Sequence, residues 1–165
     1  MLHLYCGNGK GKTTAAMGLA LRAAGRGKRV VIAQFLKGAD SGERLALARQ
    51  VTLLPVPDAV KFSFRMSEDE RRSEAQRYQD LLKLISRTAR GCFLLVLDEA
   101  CAAVNTGLLP LEDLLACLDS LECEVVLTGR DPAPELMERA DYITSMEAVR
   151  HPFEQGITAR EGIEF

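Results

Sequence analysis

The sequence predicts an α/β fold in which helices cover a mostly parallel central sheet in a three-layer sandwich. Short apolar runs alternate along the chain with segments of helical periodicity, which is typical of strand–helix–strand units. The apolar runs are continuous rather than alternating, which indicates strands that are buried on both faces. The chain has 165 residues, and a domain averages ~150 residues, so we expect residues 1–165 to form a single domain.

The first third of the chain is expected to hold three strands and two helices. The segment after the first strand is rich in Ala, Leu and Met, and Gly25 is the expected C-cap of its helix. Pro55 and Pro57 end the third strand, because proline cannot donate a hydrogen bond to a neighbouring strand. Strands are predicted at residues 2–6, 29–35 and 51–56, and helices at residues 13–24 and 42–50.

The rest of the chain continues this alternation. Ser67 followed by Glu70 forms a capping box that begins the longest helix. The strand after that helix is the most apolar and is expected at the centre of the sheet. Pro110 and Pro132 are expected at the starts of the two later helices. Helices are predicted at residues 68–90, 110–121 and 132–140 and strands at residues 92–97, 124–128 and 142–149, whereas residues 151–165 show no clear periodicity.

The composition excludes several classes of protein. Lys and Arg number 21 against 23 Asp and Glu, a formal net charge of −2 that disfavours a general nucleic-acid binder. No apolar run approaches the ~20 residues of a membrane-spanning helix, and the apolar N-terminal stretch is too short for a signal peptide. We therefore expect a cytoplasmic protein. Five cysteines without a Cys-x-x-Cys pair, beside two histidines, argue for reduced thiols rather than a structural zinc site.

The strongest functional motif lies between the first strand and the first helix, where a phosphate-binding loop is required to be. Its glycines allow consecutive backbone N–H groups to converge on phosphate oxygens, and the positive end of the following helix adds to this attraction. Lys12 supplies a mobile cation, Lys10 adds a second charge, and the Thr13 hydroxyl can bind Mg²⁺. A glycine-rich surface turn is the alternative interpretation. The motif reads Gly7-Asn8-Gly9-Lys10-Gly11-Lys12-Thr13-Thr14.

The motif departs from the standard phosphate loop at one position. The pattern Gly-x-x-x-x-Gly-Lys-Thr requires a glycine where this chain has Cys6, and the glycine stands one residue later, at Gly7. The loop is therefore one residue shorter than usual. We expect the shortening to change how deeply the phosphates are bound and which phosphate is held, which weakens the prediction of ordinary γ-phosphate hydrolysis or transfer.

A second motif is an apolar strand that ends in two acids, Asp98 and Glu99. The carboxyl ends of parallel strands meet at one edge of a sheet, so a carboxylate there lies opposite the phosphate loop and can hold Mg²⁺ directly or through water. Successive residues of a strand point to opposite faces. Only one of the two acids is therefore expected to face the metal, and the sequence leaves open which one.

These motifs, together with others in the same order along nearly the whole chain, resemble the P-loop ATP:cob(I)alamin adenosyltransferases, also called corrinoid adenosyltransferases. The shifted glycine of the phosphate loop is part of that family's pattern. The other segments that carry the resemblance are residues 34–38, 42–44, 96–99, 127–130, 140–141 and 151–157.

The resemblance implies a RecA-like parallel α/β fold and a specific reaction. In this family the reduced Co(I) ion of a corrinoid attacks C5′ of ATP, the adenosyl group passes to cobalt, and inorganic triphosphate leaves. ATP is held with its γ-phosphate deep in the modified loop, which exposes C5′ to cobalt. Because the nucleophile is the cobalt itself, the protein needs no general base. Its task is to position the substrates and to stabilise the charge on the leaving group.

The resemblance also implies roles for individual residues. Lys12, Thr13 and Glu99 are expected to be catalytic, and residues 7–14 are expected to bind ATP. Arg22 and Arg130 are expected to contact the nucleotide or the triphosphate, with an exposed surface arginine as the alternative for Arg22. The expected ligands of Mg²⁺ are Thr13, Asp98 and Glu99.

Phe62 and Phe64 correspond by resemblance to an aromatic pair beside the lower face of the corrinoid. An apolar wall there would exclude the lower axial ligand of cobalt, which makes Co(II) easier to reduce to Co(I). Many relatives have a tryptophan as the second aromatic residue, and this chain has no tryptophan. Packing of the two phenylalanines in the core or at an edge strand is the alternative interpretation.

The implied substrates and partners are ATP, Mg²⁺, a corrinoid, an external electron donor such as a reduced flavoprotein, and a second copy of the chain in a homodimer. Family members often carry a segment ahead of the first strand that covers the site, and here the strand begins near Leu2. We expect the corrinoid site to be more open or closed by other means. The alternatives in function are a P-loop ATPase or small-molecule kinase that releases ADP, and a regulatory or carrier protein that binds both ligands without chemistry.

Overall fold

A single sheet of six strands organises the part of the chain that the computed structural model describes, residues 1–61 and 63–164. The strands are β1 (Leu2–Cys6), β2 (Val30–Gln34), β3 (Thr52–Leu53), β4 (Leu94–Asp98), β5 (Glu124–Thr128) and β6 (Tyr142–Ser145). All the described pairings are parallel, and the order across the sheet is β3-β2-β4-β5-β1-β6. The most apolar strand, β4, is therefore an inner strand, as predicted.

Helices cover both faces of the sheet. They are α1 (Lys12–Gly25), α2 (Gly42–Leu47), α3 (Glu68–Thr88), α4 (Ala100–Asn105), α5 (Leu111–Asp119) and α6 (Pro134–Arg139), and two 3₁₀ turns span Ser63–Arg65 and Pro152–Gln155. Buried residues of α1 and α2 pack on one face, and those of α3 to α6 pack on the other. The predicted three-layer sandwich is confirmed. Among the residues that the structure describes, no helix is both long and apolar enough to cross a bilayer.

Every residue of β2 and β4 is buried, because neighbouring residues of each strand enter different halves of the core. In β2, Val30 and Ile32 pack beneath α1, whereas Val31 and Ala33 pack against the layer that contains α3. This two-sided burial accounts for the continuous apolar runs in the sequence. It also fixes the register of the inner strands, because a slip by one residue would exchange the two faces.

Most predicted elements are present with shifted bounds. β1 and β5 begin and end as predicted, and the capping box of Ser67 and Glu70 is formed at the start of α3. The third strand is shorter than predicted, because β3 lies at the edge of the sheet and pairs with β2 through Thr52 and Leu53 alone.

Two local predictions were wrong, and one short helix was missed. Gly25 is the last residue of α1 rather than its cap, and the left-handed backbone conformation falls on Gly27, whose φ is 70°. The last helix begins at Pro134 rather than Pro132. The short helix α4 was not predicted, because it follows β4 directly and its capping residue, Glu99, has a left-handed φ of 58°. That conformation is rare for a residue with a side chain.

The left-handed backbone conformations of residues other than glycine mark one edge of the sheet. Leu36, Glu99 and Asp131 have φ values of 54°, 58° and 47°. Each follows the carboxyl end of a strand, β2, β4 or β5, and these three strands are neighbours in the sheet. Such strained conformations persist where the surrounding structure imposes them, and they are concentrated at functional sites. The strain therefore points to the same edge as the two sequence motifs.

Candidate active site

A cavity of about 630 Å³ opens at the carboxyl edge of the sheet, between the phosphate loop and the ends of β2, β4 and β5. Its wall brings together cations and acids from distant parts of the chain. The loop contributes residues 8–14, and the other charged residues of the wall are Lys37, Glu43, Glu99, Arg130 and Glu164. A second cavity of about 500 Å³ adjoins it and shares Lys37, Glu43, Glu99 and Glu164.

The phosphate loop packs tightly against the segment that follows β6. The Gly9 N–H donates a hydrogen bond to the Met146 carbonyl over 2.7 Å, and the Asn8 side chain accepts one from the Ala148 N–H over 3.0 Å. A Cβ atom on Gly7 would lie 2.4 Å from the Met146 oxygen, and one on Gly9 would lie 2.7 Å from the backbone of Glu147. These glycines are therefore required by close packing, and the Gly9 N–H is already hydrogen-bonded to the Met146 carbonyl.

Lys12 lies folded onto its own loop. Its Nζ donates to the Gly7 carbonyl over 2.8 Å and to the Gly9 carbonyl over 2.7 Å. Burial lowers the pKa of the Lys12 ammonium, and the charge of Arg130 lowers it further, while Glu99 opposes the shift. Two cations and one acid thus converge where a polyphosphate would enter, and an anion there would relieve the repulsion between the cations.

Asp98 lies beneath the cavity, is fully buried, and accepts four hydrogen bonds or ion-pair contacts. Oδ1 accepts from the hydroxyls of Thr13 at 2.8 Å and Thr128 at 2.7 Å. Oδ2 accepts from the Gln34 amide at 3.1 Å and from the Lys37 ammonium at 2.9 Å. A buried carboxylate is costly unless it is paired and hydrogen-bonded, and these donors meet that requirement. They also occupy the acceptor positions of Asp98.

Glu99 stands at the rim, next to Asp98, and lines both cavities. Its backbone N–H donates to the Thr128 hydroxyl over 2.8 Å, which holds the left-handed turn. Burial raises the pKa of the Glu99 carboxyl, the charge of Asp98 raises it further, and Lys37, Lys12 and Arg130 oppose the rise.

Lys37 extends from the turn after β2 to the centre of the site. Its Nζ lies 2.9 Å from Asp98 Oδ2, 3.1 Å from Glu43 Oε1 and 3.2 Å from Thr13 Oγ1. Burial lowers the pKa of this ammonium, but the carboxylates of Asp98 and Glu43 more than compensate, so the pKa is raised. The side chain is therefore a fixed cation at the place where the loop meets β4.

The residues present fit a magnesium ion. A threonine hydroxyl beside two carboxylates is the oxygen-donor chemistry that Mg²⁺ prefers. Four donors already occupy the carboxylate oxygens of Asp98. The arrangement therefore favours Glu99 as the carboxylate that faces the cavity, and Asp98 as the group that orients Thr13. In the described part of the chain, no three acidic, histidine or cysteine side chains form a ready-made metal site. Phosphate oxygens and water would have to complete the coordination.

The structure brings most of the predicted site residues together. Residues 8–14, Glu99 and Arg130 line one cavity, with Asp98 directly beneath it. Gly7 contributes its carbonyl to Lys12 instead of lining the cavity. Arg22 lies on an exposed face of α1, outside the cavity wall, and its role stays a prediction. Phe62 lies outside the described residues.

Phe64 lies in the 3₁₀ turn Ser63–Arg65 and is 77% exposed. Ser63, its neighbour, lines the second cavity together with Lys61 and Glu99. This exposure argues against packing of Phe64 in the core. The turn is at the border of the site, and the role of Phe64 toward a corrinoid stays a prediction.

Several site residues were missed as functional residues by the sequence reasoning. Thr128 links Asp98 to Glu99. Thr128, Lys37, Glu43 and His151 lie in segments that carry the family resemblance, but no role was assigned to them. The tail residues Gly162, Ile163 and Glu164 also line the cavity, although their segment has no periodicity that would indicate it.

Comparison with known proteins decides which phosphate-binding family this site belongs to. The model of the family described as ATP:corrinoid adenosyltransferase BtuR/CobO/CobP matches residues 1–165. The chain belongs to the ATP:corrinoid adenosyltransferase family. The shortened phosphate loop is thus found in the family that the sequence motifs predicted.

Individual relatives support this assignment, and one solved structure shares the fold. A corrinoid adenosyltransferase of Pseudomonas aeruginosa is 33% identical over 174 residues, covering 100% of this chain and 83% of that protein. One of Escherichia coli K12 is 33% identical over 172 residues, covering 98% and 84%. A KaiC-like protein of Pyrococcus horikoshii shares the fold with a TM-score of 0.56 at 20% identity, covering 88% of this chain and 70% of that one. The predicted RecA-like P-loop fold is confirmed.

Proposed function

We propose that this corrinoid adenosyltransferase family member transfers the 5′-deoxyadenosyl group of ATP to the Co(I) ion of a corrinoid and releases triphosphate. The observation that carries the proposal is the match of the whole chain to the family, including the phosphate loop with its shifted glycine. The cavity supports it, because lysines and an arginine face an opening at the carboxyl edge of a parallel sheet, where such folds bind nucleotides.

The chemistry requires little from the protein beyond position and charge. Cobalt donates an electron pair to C5′, the Co–C bond forms, the C5′–O bond breaks, and the pair leaves on the triphosphate. No proton moves in this step, so no general base is needed. Negative charge gathers on the leaving group, and preorganised cations that meet it lower the barrier. We assign this role to Lys12, Lys10 and Arg130, with support from the positive end of α1.

We propose that Lys12 changes partners when ATP binds. Its two contacts to the carbonyls of Gly7 and Gly9 are within its own loop. A phosphate oxygen is a stronger acceptor for an ammonium than a neutral carbonyl. The ammonium therefore turns from the loop to the triphosphate, and its pKa, lowered by burial and by Arg130, rises again once the anion is present.

We also propose that Thr13 and Glu99 would hold a magnesium ion, while Asp98 would orient Thr13. When bound, Mg²⁺ would neutralise part of the charge of the triphosphate. Thr13 keeps its hydroxyl oriented by its hydrogen bond to Asp98. Glu99 is fixed at the rim by its backbone contact to Thr128.

The corrinoid is proposed to lie over the second cavity and the turn that carries Phe64. This cavity shares Glu99 and Lys37 with the nucleotide cavity, so a ligand in one lies next to a ligand in the other. Direct attack on C5′ needs such contact. The ring of Phe64 is 77% exposed, with the Arg65 guanidinium carbon 5.6 Å from its centroid. We propose that it presents an apolar surface to the lower face of the corrinoid, and we extend the proposal to Phe62.

Three further proposals concern the electron donor, the oligomeric state and the cellular location. The electron donor is external, such as a reduced flavoprotein, because Co(I) must be produced before the transfer. The active form is a homodimer, as in the family. The cytoplasm is the proposed location, in agreement with five free cysteines that would stay reduced there.

The identity of the phosphorus product separates this function from its alternatives. The protein is incubated with ATP and Mg²⁺, with and without chemically reduced cobalamin, under anaerobic conditions. We expect consumption of ATP only with the reduced corrinoid. Release of ADP and phosphate at the same rate in both samples would instead indicate a P-loop ATPase. Binding of both ligands without loss of the Co(I) absorption would indicate a carrier.

A further inference from the structure

We propose that the Lys37 ammonium occupies the divalent-metal position while no nucleotide is bound, so that it competes with the metal until ATP binds. This inference rests on the magnesium assignment of the proposed function. It concerns a residue for which neither the motifs nor the family supplied a role. Lys37 would then be a positioning residue that couples metal binding to nucleotide binding.

The Lys37 ammonium contacts the hydroxyl oxygen that the metal would bind and the carboxylate that orients this hydroxyl. Nζ lies 3.2 Å from Thr13 Oγ1 and 2.9 Å from Asp98 Oδ2. A magnesium ion bound to the Thr13 hydroxyl at ~2.0 Å would overlap with or lie directly beside this ammonium. The two cations cannot both lie against Thr13 Oγ1 without strong repulsion.

The position of Lys37 is imposed by the backbone. Leu36, the residue before it, has a left-handed φ of 54°, and its N–H donates to the Tyr78 hydroxyl over 2.8 Å. Tyr78 belongs to α3 and is fully buried in the core. On the other side, a Cβ on Gly38 would lie 3.0 Å from the Asp58 carbonyl oxygen, so the turn is packed there as well. The strained turn therefore directs the lysine toward β4.

Lys37 can also reach the phosphates, because it lines the nucleotide cavity. Without ATP, its charge compensates the buried carboxylate of Asp98. The triphosphate brings several negative charges into the cavity and attracts the ammonium away from Asp98. Thr13 Oγ1 is then open to the metal that arrives with the phosphates, and Lys37 becomes a further cation on the leaving group.

Mn²⁺ binding without nucleotide tests this inference directly. Free Mn²⁺ is measured by electron paramagnetic resonance for the natural chain, Lys37→Met and the control Lys61→Met. Lys61 also lines the neighbouring cavity but pairs with Glu70 instead of Asp98. We expect Lys37→Met to bind Mn²⁺ about tenfold more tightly or better, because the repulsion is gone, and Lys61→Met to bind as the natural chain does. Equal affinity in Lys37→Met and the natural chain would overturn the inference.

The natural chain with ATP separates this inference from the metal assignment itself. If Mn²⁺ binds with ATP, and Lys37→Met shows no gain without it, only the role of Lys37 is refuted. If Mn²⁺ fails to bind even with ATP, the magnesium assignment fails and the inference fails with it.

Amine labelling of the natural chain provides a test that requires no variant. Acetic anhydride modifies lysines in proportion to their freedom, and peptide mass spectrometry reports each site. We expect saturating Mn²⁺ without ATP to displace Lys37 and to raise its labelling rate several-fold, while the exposed Lys83 on α3 is labelled as before. Unchanged labelling of Lys37 at metal concentrations that saturate the site would contradict the inference.

Discussion

The hydroxyl of Thr13 donates a hydrogen bond to Oδ1 of Asp98 over 2.8 Å, although the two residues are 85 positions apart in the sequence. This contact joins the first residues of α1 to the end of β4. Asp98 also accepts the hydroxyl of Thr128 from the end of β5. One buried carboxylate therefore holds the phosphate loop and two strand ends in fixed positions, which is the pre-organisation that charge stabilisation at an active site requires.

Removal of the Thr128 hydroxyl should loosen this arrangement. Thr128→Val keeps the shape of the side chain but removes the donor to Asp98 and the acceptor of the Glu99 N–H. Hydrogen bonds of buried groups contribute ~1–3 kcal/mol when one partner is lost, so we expect the free energy of unfolding to fall by about 2 kcal/mol. Adenosyl transfer should fall as well. Thr128→Ser is the matched control, because it keeps the hydroxyl. Unfolding in guanidinium measures the stability of both variants. A valine variant as stable as the serine variant would contradict this role of the hydroxyl.

The glycines of the phosphate loop should tolerate a methyl group less well than a glycine of α1. In Gly9→Ala, the Cβ would lie 2.7 Å from the Glu147 backbone, and overpacking of this kind costs ~1–3 kcal/mol. Gly18 has nothing within 4 Å of an added Cβ, so Gly18→Ala should stabilise α1 by ~0.5–1 kcal/mol. Thermal unfolding of the pair should give shifts of opposite sign. A Gly9→Ala variant that is as stable as the natural chain would show that the loop does not pack on this segment.

Ionisation of Glu99 should reduce stability at neutral pH. Burial and Asp98 raise the pKa of this carboxyl above 4.5 in the folded chain, so folding favours its protonated form. Both states are protonated well below 4.5, and the penalty develops as the pH rises through the folded pKa. Glu99→Gln should therefore be more stable than the natural chain at pH 7.5 and show a smaller difference at pH 4.

Unfolding in guanidinium at the two pH values measures this difference. Glu138→Gln, an exposed position on α6, is the control and should show little dependence on pH. A Glu99→Gln variant that gains no stability between pH 4 and pH 7.5 would refute the electrostatic account of the rim.

Phe64→Ala should impair the reaction more when it starts from Co(II) than from chemically prepared Co(I). The proposed apolar surface helps to exclude the lower axial ligand, and this exclusion matters for reduction rather than for attack on C5′. Phe93→Ala is the matched control, because Phe93 is also exposed but lies at the opposite edge of the sheet, before β4. Equal losses from both cobalt states would indicate that Phe64 contributes only to packing.

The sequence predicted the strands that are buried on both faces of the sheet and the motifs that are formed by residues close together in the chain. The inner strands and the capping box of Ser67 fall into this class, as does the phosphate loop. α4 was missed, because it begins at the left-handed Glu99 without a stop between strand and helix.

The remaining site contacts depend on tertiary packing. Position 9 requires glycine because the backbone of Met146 lies close to it. Lys37 is positioned by the turn at Leu36, whose N–H donates a hydrogen bond to the hydroxyl of Tyr78, 42 residues further along the chain. No local pattern carries such a contact. The sequence therefore predicted the edge of the sheet where the candidate site residues meet and the loop that we propose to bind phosphate, whereas the contacts of Thr128 and Lys37 required the fold.

The stoichiometry of a single turnover tests the central claim most directly. The protein is mixed anaerobically with Mg²⁺, limiting ATP and excess chemically reduced cobalamin. Phosphorus nuclear magnetic resonance identifies the phosphate product, while the absorption spectrum counts the adenosylated corrinoid. We predict one triphosphate for each Co–C bond formed, and neither product when the corrinoid is left as Co(III). Formation of ADP, or release of triphosphate without a matching Co–C bond, would contradict it.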